Sequence, residues 1–317
     1  MSDKNATEML RADPAGVSRA AEIVRGGGIV AVPTETVYGL AARADSDAAI
    51  ARIYAAKGRP SINPLIVHIA SMDEARKVAD FSDEAERVAA RVWPGSVTLV
   101  LPRRKDADLA NAISAGLPTI AVRMPDHQVM RALITRVGVP LGAPSANLSN
   151  TVSPTSAHHV AATLDGRIDM ILDGGDCPTG LESSILAIRQ NGRWDQLRAG
   201  PVDLDALHRQ LYGSALAPVQ PSASIEAPGQ LTRHYSPGKP VRLSASTKKN
   251  GEFLIGFGSS GGDCNLSESG NLQEAAARLY ACLHLAAQSS RPRIAVSRIP
   301  DKGIGKAIND RLRRAAS

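Results

Sequence analysis

The sequence predicts an α/β protein of two domains, and three observations carry that reading. Apolar runs of strand length alternate with helix-periodic segments through residues 1–212, the pattern that packs helices on a twisted sheet. A Pro/Ser/Gly-rich stretch over 213–240, holding Pro218, Pro221, Pro228, Pro237 and Pro240, breaks this rhythm and reads as a linker. A shorter round of alternation follows over 241–317, a small second α/β unit. At 317 residues the chain also exceeds what one core ordinarily organises.

Residues 17–25 read as a helix with Ala20, Ile23 and Val24 on one face, and Gly26 to Gly28 supply its exit. Residues 29–32 form a buried strand that Pro33 ends. Asp47 is placed to cap a helix whose apolar face is Ile50, Ile53 and Tyr54. Gly58 closes it, with Lys57 in the last turn, where a cation complements the helix dipole. Strands are expected over 65–69, 97–101, 119–122 and 170–172, with helices at 72–80, 82–92 and 126–137. Ser153 and Pro154 read as a helix start, serine at the N-cap and proline at N1. In the second unit, strands over 252–257 and 293–296 alternate with helices over 271–288 and 306–316. Strand order is not fixed by these patterns.

An apolar fraction of 43% and a charged fraction of 21% belong to a soluble globular protein. Aromatics are only 3%, so the cores must rest on Ala, Val, Ile and Leu. A net charge of +6 favours anionic partners such as nucleotides or RNA, although Arg311, Arg313 and Arg314 supply part of it. No basic block is interleaved with aromatics, so there is no stacking platform for single strands. Cys177, Cys264 and Cys282 lie far apart without metal spacing and read as structural thiols of a reducing compartment. The polar start and the lack of a bilayer-length apolar run lead us to expect a cytoplasmic protein with no membrane contact.

Four places could carry chemistry. PTETVYGL sets Thr34, Glu35, Thr36 and Tyr38 directly after a buried strand. Lys57 and Arg59 stand two residues apart at a helix-to-loop junction, where Arg offers a planar fork and Lys a point charge to a polyphosphate. An arbitrary K-x-R is a solvated helix end; Pro60, Asn63, Pro64 and His68, lying between two buried elements, favour a ligand. Residues 142–155 hang Ser145, Asn147, Ser149 and Ser153 from a strand end, an anion and sugar site unless they are ordinary turn chemistry. Residues 174–185 carry Ser183 and Ser184 after Gly174, Gly175 and Gly180, for which a β-hairpin connection is the plainer reading. Arg123, closing a strand, is a candidate for binding a carboxylate.

Two look-alikes fail. Gly256, Gly258 and Gly261 fit G-x-G-x-x-G, but no helix opens after them and no acidic residue stands at the ribose position. Gly305-Lys306-Ala307 lacks the first glycine and the hydroxyl of a P-loop. His158-His159 has no acidic or cysteine partner at ligand spacing.

PTETVYGL, K-x-R-P followed by PLIVH, S-x-N followed by SPT, and HYSP together resemble the YrdC family, threonylcarbamoyl-AMP synthases. The stretches APGQLTRHYSPGKP and GIGKAINDRLRRAA resemble the longer, two-domain form, and the likeness runs from about Val17 to Ala316. The resemblance implies a large YrdC-like domain with a concave basic cavity (1–212), a linker (213–240) and a small Rossmann-like C-terminal domain (241–317). It implies that L-threonine and bicarbonate form N-carboxythreonine, whose carboxylate attacks the α-phosphate of ATP to give threonylcarbamoyl-AMP and pyrophosphate. Downstream tRNA threonylcarbamoyl-transfer proteins would pass the group to N6 of adenosine 37 in tRNAs reading ANN codons.

By the same resemblance Lys57, Arg59, Ser145 and Asn147 form the catalytic set, with Mg²⁺ arriving on ATP and no protein metal ligand. Thr34, Thr36, His68, Arg123, Ser145 and Ser183 would surround threonine. Lys57, Arg59, Asn63, Thr119, Ala143 (through its backbone), Ser145, Ser153, Arg198 and Tyr235 would line the ATP site, with Tyr235 as a lid. Asn150, Ser184 and Ala199 depart from the family's usual Gly, Thr and Pro without removing a ligand contact. The alternative is an accessory protein that binds tRNA or other RNA weakly in the same basic cavity, a role that would not require the hydroxyls of Thr36, Ser145 and Ser183. A carbamoyl-phosphate-using enzyme ranks last, since no zinc-knuckle or acylphosphatase-like segment accompanies the domain.

Overall fold

The computed structural model describes residues 6–216, 226–228 and 234–317. The strands of the large domain are β1 (Glu8–Arg11), β2 (Val30–Val32), β3 (Gly39–Arg43), β4 (Ile66–His68), β5 (Val97–Pro102), β6 (Thr119–Arg123), β7 (Leu141–Gly142), β8 (Met170–Asp173), β9 (Ser184–Ile188) and β10 (Trp194–Arg198). Its helices are α1 (Pro14–Arg25), α2 (Asp47–Lys57), α3 (Met72–Val78), α4 (Asp83–Val92), α5 (Gln128–Val137), α6 (Ala157–Leu164) and α7 (Leu204–Tyr212). The small domain holds β11 (Val241–Ala245), β12 (Glu252–Gly256), β13 (Cys264–Asn265), α8 (Leu272–Gln288), β14 (Arg293–Ser297) and α9 (Gly305–Ala315).

The large sheet is mixed, in the order β1-β8-β2-β3-β7-β4-β6-β5-β9-β10. Near β2 and β3, helices α1 and α5 cover one face through Val17, Ala20, Val24, Met130, Leu133 and Ile134. The opposite face carries the main core, built with α2, α3 and α4 through Ile50, Ile53, Ala75 and Val88. Over β4, β6, β5 and β9 one face has no helix on it among the described residues and presents the shorter cluster Ile66, Val100, Ala121, Ile185 and Ala187, with Ala227 above. Strand side chains alternate between faces, so Ile66 and His68, and Ala121 and Arg123, share this uncovered face in register. The site lies here.

The small sheet is wholly parallel, β11-β14-β12-β13. Helices α8 and α9 pack on the face of Ile255, Ile294 and Val296 and also share a core with Val37, Val152 and Leu181 of the large domain. The small domain is thereby docked on the loops at the rim of the uncovered face. Among the described residues no helix is long and apolar enough to cross a membrane.

Several local expectations change. Ser46, not Asp47, caps α2: its hydroxyl accepts from the Ala49 amide, and Asp47 is the first helical residue. Residues 153–154 do not start α6, which begins at Ala157 with Ser156 as its cap. Ser153 is held elsewhere, its hydroxyl donating to Glu182 Oε1 at 2.5 Å. Residues 174–183 do not make a hairpin, because they join β8 to β9, which lie in distant parts of the sheet.

Candidate active site

A cavity opens on the uncovered face, floored by Ile66, His68 and Arg123 and walled by Thr34, Thr36, Ala143 and Ser145. Arg59, Glu182, Ser183 and Arg198 form its other wall, and Pro228, His234 and Tyr235 of the linker roof it. Its internal free volume is about 50 Å³. Small-molecule sites commonly offer about 300–1,000 Å³, so the roof closes this one down.

One wall is a chain of hydroxyls ending on a guanidinium. Thr34 Oγ1 donates to the Val37 carbonyl at 2.7 Å and accepts the amides of Thr36 and Val37. Its single proton being used, Thr34 accepts from Thr36 Oγ1 at 2.8 Å, and Thr36 in turn accepts from Arg123 Nη1 at 2.9 Å. Arg123 also donates to the Gly95 carbonyl at 3.2 Å and to Glu35 Oε1 at 2.5 Å. Three of its five N–H groups are thus fixed, leaving two for a planar anion such as a carboxylate. Burial alone would raise the Glu35 carboxyl, but the Arg123 guanidinium outweighs it and holds Glu35 below its ordinary range.

His68 is neutral. Its Nδ1 lies 3.2 Å from the Ile66 carbonyl, which makes Nδ1 the donor and leaves Nε2 an acceptor. Burial, helped by the charge of Arg123, lowers its pKa to about 3.

The opposite wall is cationic. Arg59 donates to the carbonyls of Asn63 and Pro64, at 3.2 and 2.9 Å. Arg198 donates to the Ser183 carbonyl and hydroxyl at 3.0 and 3.1 Å and to the Pro228 carbonyl at 3.2 Å. Burial lowers both, Arg59 to about 10, so Arg59 stays charged near neutrality. Neither hydrogen-bonds a carboxylate among the described residues, an arrangement that a bound anion would relieve.

Glu182, on the same wall, has its countercharge in the small domain. Arg311 Nε donates to Glu182 Oε2 at 2.9 Å, and the Tyr280 hydroxyl donates at 2.8 Å. Burial would raise Glu182, yet Arg311, Arg198 and these donors bring it down to about 2. Tyr235 is sandwiched there: the Arg311 guanidinium lies 5.3 Å from its ring centre and the Tyr280 ring stacks at 5.7 Å.

Of the residues named from sequence, Thr34, Thr36, Arg59, His68, Arg123, Ala143, Ser145, Ser183, Arg198 and Tyr235 meet at this cavity. Lys57, Asn63, Thr119, Asn147 and Ser153 do not line it. The three N–H groups of Lys57 all face inward, to the carbonyls of Ser145 and Asn147 at 2.6 and 2.5 Å and to Asn147 Oδ1 at 3.4 Å. Burial, with Arg59 nearby, holds its pKa well below the lysine range. Asn147 continues this scaffold through Nδ2 to Thr151. Asn63 Oδ1 is buried without a partner among the described residues, and Thr119 is half-buried at the start of β6. Sequence reasoning missed Glu182, His234 and the Glu35–Arg123 pair as parts of the site. The adjacency of Glu182 to Ser183 was the available signal.

Fold and site together define a two-domain α/β protein that closes a linker over a small cationic, hydroxyl-lined ligand cavity. The model of the Sua5/YciO/YrdC family, described as telomere recombination, matches residues 22–200, and that of the threonylcarbamoyl-AMP synthase C-terminal domain matches 202–317. The chain is 38% identical to the threonylcarbamoyl-AMP synthase of Pyrococcus abyssi over 320 residues, covering 94% of this chain and 93% of the relative. It is 37% identical to that of Bacillus subtilis over 341 residues, covering 98% and 95%. The crystal structure of P. abyssi Sua5 complexed with L-threonine superposes with a TM-score of 0.87 at 35% identity, over 98% of this chain and 96% of that one. The chain belongs to the Sua5/YciO/YrdC family in its two-domain form.

Proposed function

We propose that the protein synthesises L-threonylcarbamoyl-AMP from L-threonine, bicarbonate and ATP, releasing pyrophosphate. The observation that carries this reading is a single cavity with a carboxylate-ready guanidinium, Arg123, on one side. On the other side stand two guanidiniums, Arg59 and Arg198, that hydrogen-bond no carboxylate among the described residues.

The two spare N–H groups of Arg123 take the threonine carboxylate, and the hydroxyls of Thr36 and Ser183 hold its polar end. The amine lies against the acceptor Nε2 of neutral His68. Condensation of amine and bicarbonate gives the carbamate and water; a carbamate oxygen then attacks the α-phosphorus, and the bond to the β-phosphate breaks with pyrophosphate leaving. Arg59 and Arg198 stabilise the charge that builds on the phosphates, in a site where fixed charges act with little solvent screening. Mg²⁺ would enter as part of the nucleotide substrate and offset charge on its phosphates. Tyr235 and His234 keep water from the mixed anhydride until it leaves. The product would pass to proteins that modify adenosine 37 of ANN-decoding tRNAs, in the cytoplasm. An RNA backbone would not require the hydroxyls of Thr36, Ser145 and Ser183 that line the site.

Pyrophosphate release, with threonine and bicarbonate omitted in turn, tests the reaction. Release is expected only with both present, and Arg123→Gln should raise the KM for threonine by about 100-fold while leaving the KM for ATP within about threefold. Release that ignores threonine refutes the reading.

A further inference from the structure

The small domain carries a second cavity, of about 300 Å³, that shares no lining residue with the roofed site. It lies between the carboxyl ends of β11 and β14, with α9 as its outer wall. Topology makes this place special. Arg242 and Leu254 pair with Ala295, and Ala245, Leu254 and Ala295 form one face of the sheet. The segment leaving β11 crosses that face: the Thr247 carbonyl accepts from Arg242 Nη2, and the Lys249 amide donates to Glu252 Oε2. The chain leaving β14 enters α9 on the other face, against Ile294 and Val296. Two adjacent parallel strands whose connections depart to opposite faces open a crevice at their carboxyl ends, which is where open α/β sheets hold ligands.

The lining is chemically complete for one class of ligand. The Ser297 hydroxyl is buried and has no partner among the described residues, a costly state unless something else supplies one. Arg298 and Arg313 flank it, both exposed, and neither guanidinium makes a hydrogen bond or ion pair with any described residue. Asn309 Nδ2 donates to Asp301 Oδ1 at 3.1 Å and to the Ile299 carbonyl at 3.2 Å, so Asp301 Oδ2 and Asn309 Oδ1 remain open as acceptors. Two planar cations lining one cavity suit a phosphate monoester, and free carbonyl and carboxylate acceptors suit sugar hydroxyls.

We propose that this crevice binds a phosphate monoester of mononucleotide size, its phosphate between Arg298 and Arg313 and its sugar hydroxyls on Asp301, Asn309 and Ser297. The site stands apart from the proposed reaction and would hold whether or not that reaction is the right one.

Calorimetric titration of the full chain with AMP and with ribose 5-phosphate tests it, comparing wild type with R298Q/R313Q and with Ser297→Ala. Both arginines are exposed and Ser297→Ala removes a single atom, so each variant should keep the wild-type melting curve. The double variant is expected to lose one AMP site per chain, or to bind there at least about tenfold more weakly per guanidinium removed, with Ser297→Ala intermediate. Ribose 5-phosphate should compete for that site, and threonine-dependent pyrophosphate release should stay at the wild-type rate. Identical isotherms for all three proteins overturn the proposal. So does a site that ignores AMP but retains a short RNA in an arginine-dependent way, which would make the ligand a polynucleotide.

Discussion

Lys57 and Arg59 stand two residues apart and do opposite work. Lys57 ties the 145–147 loop to the end of α2 and shows the cavity none of its N–H groups, whereas Arg59 faces the cavity and is anchored by the Asn63 and Pro64 carbonyls. Lys57→Met should therefore destabilise the fold by ~2–3 kcal/mol, since it strands buried carbonyls. Arg59→Met should leave stability unchanged or slightly higher while raising the KM for ATP at least tenfold, a contrast that urea unfolding and pyrophosphate kinetics on the two variants would read directly. A common fate for both variants would show that the two cations share one role. The sequence named both residues but could not separate these roles, because the direction of a lysine at a helix end is set by a loop nearly ninety residues later. Thr36 and His68 were named by family resemblance and Arg123 also as the basic residue closing a strand, and all three line the cavity.

At the scale of elements, the long apolar helices and the buried strands were legible, and the short edges were not. β1 and β7 are four and two residues long and owe their pairing to neighbours remote in sequence, so no local pattern marks them. The capping of α2 and α6 slipped by a few residues because several hydroxyls compete at each helix start, and tertiary partners decide which is free. One element pair carries a pH response. His159 of α6 and His284 of α8 stack at 4.0 Å across the domain boundary, with His158 close by. Burial is the main cause that lowers both, His159 to about 3, with the neighbouring imidazoles adding to it. A histidine depressed on folding contributes stability that is full above its unfolded pKa near 6.5 and fades as pH falls toward the folded value. The melting temperature should thus decline below pH 6.5, and a His159→Phe/His284→Phe variant, which keeps the stack, should decline less. Parallel declines would mean that the pair does not report acidification.

For the whole molecule, the Glu182–Arg311 pair makes two domains into one unit. Arg311 is fully buried, and removing it leaves a carboxylate stranded in the cavity wall. Arg311→Met should cost ~3–5 kcal/mol in urea unfolding, and Glu182→Gln in the same chain should return a large part of it. Additive losses would show that the charges are not coupled. Glu182 is depressed to about 2, so its contribution is present above about pH 4.5 and is lost as pH falls toward 2. The two partners lie 129 residues apart in the chain. At the ~5–20 residues per second of synthesis, roughly 6–26 seconds separate the appearance of the carboxylate from that of the guanidinium that neutralises it. Until residue 311 is made, Glu182 lacks its buried countercharge and the Tyr235 ring lacks the guanidinium that lies over it. Synthesis thus runs ahead of the contact that joins the two domains, which can form only once α9 has left the ribosome.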